Sequence, residues 1–173
     1  MKEIRWHGRG GQGAFTASKI LGAAAVLDGS YALAFPSFGP ERRGAPIQAF
    51  TKIDDSPITD RSVIKKCDYI IYLDETLYQP EVRKDLKDGG KVLINSKDAS
   101  KYPEDDVIAI DGNRISEEIL GRPVSNTVML AALAKESKLT EVEKLKMALE
   151  FYLPAKIVEK NKKIIQWVVD GRQ

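Results

Sequence analysis

Ile4-Arg5-Trp6-His7-Gly8-Arg9-Gly10-Gly11-Gln12-Gly13-Ala14-Phe15-Thr16-Ala17-Ser18-Lys19-Ile20-Leu21 carries the reading of the fold. Ile4 to His7 reads as a short strand that stops at Gly8. Gly8 to Gly13 is a glycine-rich turn. From Ala14 to Leu27, alanines with Ile20, Leu21, Ala24 and Leu27 on one face predict a helix. Asp28-Gly29 ends that helix, with glycine where a left-handed cap is expected.

Strand and helix signals continue to alternate. Tyr31–Phe35 reads as a strand, and so does Ile47–Ile53. Asp54-Asp55-Ser56 reads as a turn back to a short piece near Ile58, a hairpin that makes the sheet mixed. Tyr69-Ile70-Ile71-Tyr72-Leu73 is continuously apolar, as a strand covered on both faces should be. Pro80–Lys87 reads as helical and is stopped by Gly89-Gly90. Lys91–Asn95 and Val107–Ile110 are further strands, and Ser116–Leu120 and Val128–Ser137 further helices. Thr140-Glu141-Val142-Glu143 matches a capping box, opening a helix with Val142, Leu145, Leu149 and Tyr152 inward. After Pro154, residues Ile157, Val158, Ile164, Ile165 and Val168 line a last helix. The expectation is one α/β domain over residues 1–173: a layered α/β/α arrangement around a mostly parallel, mixed sheet, with a helical C-terminal tail.

Composition narrows the chemistry. The chain has 173 residues, 27 basic and 25 acidic side chains, one Cys (Cys67) and one His (His7). A net charge of +2 gives no case for nucleic acid or membrane surfaces. One Cys cannot supply the four thiolates of an iron–sulfur cluster, and one Cys with one His falls short of a structural zinc site. Cys67 reads as a small buried residue, and His7 as a structural hydrogen-bonder rather than an acid or base. No residue is assigned a catalytic or metal-binding role. With neither a signal-like nor a membrane-spanning stretch, the expected location is the cytoplasm.

Gly8, Gly10 and Gly13 match G-x-G-x-x-G. The dinucleotide form also needs an acid ending the second strand. That strand runs into Phe35-Pro36-Ser37, and Gly13 is followed by Ala14-Phe15 rather than Lys-Ser or Lys-Thr, so NAD and ATP are both disfavoured. The glycines fit two roles: a tight strand-to-helix turn, or an anion cradle at a helix N-terminus. Arg9 and Gln12, able to donate outward, favour the cradle. The second unusual segment is Phe35-Pro36-Ser37-Phe38-Gly39-Pro40-Glu41-Arg42-Arg43-Gly44-Ala45-Pro46. Its three prolines and two glycines exclude regular structure, and its apolar and charged groups suit a contact loop.

The two segments, in this order and spacing, resemble the gamma subunits of the 2-oxoacid:ferredoxin oxidoreductases, most closely the pyruvate:ferredoxin oxidoreductase (pyruvate synthase) branch. Pro57-Ile58 with Arg61-Ser62, the Asp68–Asp74 strand and Asn126-Thr127 add to the match, which runs from about Ile4 to about Leu133. The resemblance implies a subunit that is inactive alone and works with alpha, beta and ferredoxin-like delta subunits. Thiamine diphosphate and iron–sulfur clusters would sit in those partners, and no cofactor would be bound by this chain alone. The complex would convert a 2-oxoacid, coenzyme A and oxidised ferredoxin to acyl-coenzyme A, carbon dioxide and reduced ferredoxin. Gly8, Arg9, Gly10, Gly11, Gln12 and Gly13 would face coenzyme A. Residues Phe35, Pro36, Ser37, Phe38, Gly39, Pro40, Glu41, Arg42, Arg43 and Gly44 would form a subunit-interface or active-site loop. A branched-chain, aryl- or 2-oxoglutarate-specific relative is the alternative. A stand-alone nucleotide- or coenzyme-binding module is the alternative of another class.

Overall fold

The computed structural model describes residues 1–37 and 42–172. Phe38, Gly39, Pro40 and Glu41 of the expected contact loop lie outside the described residues.

Six strands form one mixed sheet in the order β2-β3-β1-β4-β5-β6. They are β1 (Lys2–Arg9), β2 (Tyr31–Pro36), β3 (Pro46–Asp54), β4 (Cys67–Tyr72), β5 (Leu86–Asn95) and β6 (Val107–Ile110). β1, β4, β5 and β6 run parallel, while β3 pairs antiparallel with both β1 and β2. Five helices follow chain order: α1 (Ala14–Leu27), α2 (Gly112–Leu120), α3 (Asn126–Ser137), α4 (Val142–Tyr152) and α5 (Ala155–Val169).

Strand alternation sorts the side chains onto two faces. Ile4, Trp6, Ala49, Ile53, Ile71, Leu73 and Leu93 point to the helices and join the main core. There, α3 is buried all round from Asn126 to Ala134, as a central helix should be. Phe50, Cys67, Ile70, Tyr72, Val92 and Ile94 point the other way. Their cover is Ile64 together with Leu77, Tyr78, Val82 and Tyr102. The second outer layer is therefore built of extended chain and short 3-10 turns (Glu75–Leu77, Pro80–Asp85, Ala99–Lys101) rather than α-helix.

Several local expectations change. β3 does not fold back toward Ile58; its antiparallel partners are β1 and β2, because insertion between them satisfies both of its edges. β1 runs on through Gly8 to Arg9, held by pairing to Ile47 and Pro46. Phe35 and Pro36 belong to edge strand β2, where a missing N–H is tolerated. Residues 80–85 are a 3-10 turn, and Gly89-Gly90 lies inside β5 rather than ending a helix. A Cβ on Gly90 would lie 2.9–3.0 Å from the carbonyl oxygens of Lys87, Asp68 and Cys67, at the register shift between β4 and β5. Helix α2 begins at Gly112, ahead of Ser116, because Asp111 caps it: Arg114 N–H donates to Asp111 Oδ1 at 3.1 Å.

The capping box at 140–143 does not form. Instead, Asp28 at the end of α1 accepts from Thr140 Oγ1 at 2.8 Å and from Glu141 N at 2.6 Å. Tyr152 is not inward but 40% exposed, since α4 gives way to extended chain at Leu153.

Candidate functional site

Four parallel strands deliver their carboxyl ends to one edge of the sheet, the usual location of a ligand crevice in such folds. The glycine turn after β1 sits there beside Asp74 after β4, Asn95 at the end of β5 and Asp111 after β6. A cavity of about 290 Å³ opens between them, lined by Gly11, Gln12, Asp74, Thr76, Asn95 and Ser125 among others.

The glycines are needed for close approach and unusual backbone. A Cβ on Gly10 would lie 2.2 Å from Arg42 O. One on Gly13 would lie 2.4 Å from Asn126 Nδ2, and Gly13 already has φ of 84°. Gly11 has φ of 93°. The turn is stitched to the 42–45 segment: Gly10 N–H donates to Ala45 O at 2.8 Å, and Gly44 N–H donates to Gly10 O at 3.0 Å. Asn126 closes the other side, Nδ2 donating to Gly13 O at 3.4 Å.

Arg9 and Gln12 do not reach outward as expected; both turn back onto Asp74. Arg9 Nε lies 3.2 Å and Gln12 Nε2 3.1 Å from Asp74 Oδ2, and Gln12 Oε1 accepts from Arg9 N at 2.7 Å. Arg9 also donates to Gly44 O (3.1 Å) and Thr76 Oγ1 (2.9 Å). Thr76 completes the hub by donating to Asp74 Oδ1 from N and Oγ1, at 2.9 and 2.6 Å. Burial would raise the Asp74 carboxyl, but the bonds from Thr76 and Gln12 and the Arg9 charge outweigh it, so it stays below the ordinary range. Glu75, on the cavity rim, is also held low, by Ser96 and Tyr102 hydroxyls that donate to it at 2.7 and 2.8 Å. Two ionised carboxylates make the cavity itself a poor seat for a phosphate.

The anion-compatible surface is on the loop's outer side. Arg42 and Arg43 are exposed, and the Arg43 side chain passes over Gly11, its Cγ 3.9 Å from where a Cβ would stand. Helix α1 has no side-chain cap, which leaves its positive N-terminal end facing the same loop. Thus Gly8–Gly13 and Arg42–Gly44 form one patch, while Phe35 and Pro36 are strand residues and Ser37 accepts from Gln48 N at 3.3 Å.

Asp74, Thr76, Asn95 and Asn126 escaped the sequence reading as site residues. Asn95 bridges Leu73 O, Asn113 and Gly112 N at 2.9–3.0 Å, tying β4, β5 and α2 together. A polar residue closing each parallel strand was the available signal.

A dinucleotide site is disfavoured for a second reason. β2 is separated from β1 by β3, so the end of the second strand stands about 10 Å from the glycine turn rather than beside it. Cys67 is buried and its thiol is pushed up to about 11, chiefly by burial. Among the described residues, no three His, Cys, Asp or Glu side chains gather as a metal site, and no helix is long and apolar enough to cross a membrane.

Residues 3–170 match the family described as pyruvate ferredoxin/flavodoxin oxidoreductase. The chain is 48% identical over 162 residues to pyruvate synthase subunit PorC of Methanothermobacter thermautotrophicus, covering 93% of this chain and 90% of that one. It is 43% identical over 171 residues to the pyruvate/ketoisovalerate oxidoreductases common subunit gamma of Thermococcus kodakarensis, covering 94% and 92%. Among solved structures, pyruvate oxidoreductase subunit PORC of Thermotoga maritima superposes with a TM-score of 0.83 at 31% identity, covering 98% of this chain and 95% of that one. A 2-oxoglutarate:ferredoxin oxidoreductase chain of Magnetococcus marinus shares the fold, with a TM-score of 0.74 at 17% identity over 99% of this chain and 31% of that one.

Proposed function

The chain belongs to the pyruvate ferredoxin/flavodoxin oxidoreductase family, and on that premise we propose that it supplies the coenzyme A side of the enzyme it joins. It is a gamma subunit of a 2-oxoacid:ferredoxin oxidoreductase, so it is one part of an enzyme rather than a whole one. Pyruvate is the oxoacid favoured by its relatives' names. The partners of this reading are alpha, beta and ferredoxin-like delta subunits, which carry thiamine diphosphate and the clusters. Ferredoxin accepts the electrons, and the complex works in the cytoplasm. The donor set of this chain agrees with that division: its single cysteine, Cys67, falls short of the four thiolates of a cluster.

One observation carries the proposal. Two segments far apart in sequence, Gly8–Gly13 and Arg42–Gly44, are joined by backbone hydrogen bonds that set the exposed Gly11 beside the exposed Arg42 and Arg43, with Gly8 and Gly10 buried beneath. In this reading Arg43, with Arg42, meets the phosphates of coenzyme A, and the exposed Gly11 beside them allows the close approach. Arg9, Gln12 and Asp74 hold the turn in shape and leave the oxidative chemistry to the partners' cofactors. Phe35 to Gly44 borders the neighbouring subunit.

The test is an Arg43→Ala variant assembled with its partner subunits. The KM for coenzyme A should rise about tenfold, the loss of one charge-assisted contact of roughly 1.5 kcal/mol. The KM for the oxoacid should stay unchanged. An unaltered coenzyme A KM in a fully assembled Arg43→Ala complex would reject the assignment.

A further inference from the structure

The sheet ends on one side in β2, and no strand pairs with its outer side among the described residues. The ladder with β3 fixes which groups are spare. Ser37 N–H donates to Gln48 O at 2.8 Å, so by antiparallel alternation Leu33 and Phe35 also turn their backbone groups to β3. Ala32, Ala34 and Pro36 turn theirs outward. Ala32 and Ala34 each present an N–H and a C=O there, and Pro36, lacking an N–H, presents a C=O alone. Sheet edges are usually blunted by charge, bulges or proline. β2 carries no charge, its register with β3 is unbroken, and its one proline stands at the end.

An apolar ledge overhangs this edge on the helical side. α1 lies close over the strand: a Cβ on Gly22 would stand 3.6 and 3.7 Å from those of Ala32 and Ala34. A groove of about 450 Å³ is lined by Ala32 and Ala34 together with Val26, Phe151 and Tyr152. Val26 is 54% and Phe151 64% exposed, so large apolar side chains face solvent beside unpaired backbone. Lys19 is the one charged group of the lining, and no carboxylate joins it there. Its Nζ lies over the rings of Phe15 and Tyr152, 4.4 and 5.2 Å from their centres.

Spare donors and acceptors two residues apart, between apolar walls, match the repeat of an extended main chain. A second copy of this chain fits poorly. Antiparallel pairing of two β2 strands sets the same groove against itself, Lys19 facing Lys19 with no acid between them. A different polypeptide that brings a carboxylate meets no such repulsion. The chain's place as one subunit of a larger enzyme supplies such a partner. Phe35, where the stretch set above against the neighbouring subunit begins, lies on this same strand.

We propose that β2 accepts an extended segment of a partner subunit as a seventh strand. Its main chain pairs with Ala32 and Ala34, its alternate apolar side chains enter the groove beside Val26 and Phe151, and a carboxylate reaches Lys19. The inference rests on the subunit reading and needs no contact with coenzyme A.

Amide exchange resolved to single residues, in the full chain alone and assembled with its partner subunits, tests this. Alone, Ala32 and Ala34 should exchange fast between slow Leu33 and Phe35. Assembly should slow both by about tenfold or more. Phe151→Glu, a change at an exposed side chain, should leave the Tm of the isolated chain within error and raise the dissociation constant of the complex about tenfold. Fast Ala32 and Ala34 in a fully assembled complex, or unchanged affinity of the Phe151→Glu chain, overturns the proposal. So does slowing that grows with the concentration of the chain alone, which gives the edge to a second copy. Failure to assemble with any partner removes the subunit reading as well. Fast amides in a complex whose coenzyme A KM still responds to Arg43→Ala remove this inference alone.

Discussion

Asn126 at the start of α3 reaches back 113 positions to the glycine turn, its Nδ2 3.4 Å from Gly13 O and in the space a Gly13 Cβ would need. The contact couples the turn to the central helix of the core, so the shape of the candidate coenzyme surface depends on where α3 sits.

Gly13→Ala meets both a left-handed backbone and the Asn126 amide. A loss of about 1–3 kcal/mol is expected in equilibrium denaturation. The double variant with Asn126→Ala should lose less than the sum of the two single changes, because the steric part is then relieved.

The chain entering α4 is anchored by Asp28 and not by Glu143. Asp28→Ala should cost about 1–2 kcal/mol, seen as a lowered Tm, since it strips Thr140 Oγ1 and Glu141 N of their acceptor. Glu143→Gln should leave Tm within error, because the box in which Glu143 would act is not formed.

Asp74 gives an acid-sensitive turn. Its carboxyl holds its proton less tightly folded than unfolded, so its contribution is complete above the ordinary Asp range and is lost as pH falls through the lowered folded value. Denaturation midpoints measured from pH 6 down to pH 3 should fall less steeply for Asp74→Asn than for the parent. The variant should also be less stable at pH 7, having weakened the Arg9 and Gln12 contacts.

His7 acts at higher pH. Its folded pKa of about 3 lies below the unfolded value of 6.5, so its unprotonated fold is fully favoured above pH 6.5 and progressively penalised below it. By pH 4.5 the penalty should be on the order of 1–3 kcal/mol. His7→Phe, which keeps a ring against Tyr72, should flatten the stability profile between pH 6.5 and 4.5.

The strand–glycine–helix unit, the apolar β4 run and the α1 face were legible because each is a local pattern: spacing, glycine placement and an unbroken apolar stretch need no distant partner. Tyr152 was misread for the converse reason. Its helical spacing is right, but whether a position at the helix end is covered depends on what packs beyond Leu153. The role of Arg9 was misread likewise, since a basic residue in a glycine loop looks outward until Asp74 is known to lie beneath it.

Local sequence thus determined that a glycine turn joins the first strand to a long alanine-rich helix, and that this chain has too few thiols and imidazoles for cluster or zinc chemistry. The tertiary structure alone decided that β3 inserts between β1 and β2, that Asp74 claims Arg9 and Gln12, and that Arg43 lies over Gly11. These outcomes hinge on pairings between residues far apart in the chain. Strand order is chosen by which edge best satisfies backbone hydrogen bonds and core burial together, and charged side chains turn to whichever partner that order brings within reach.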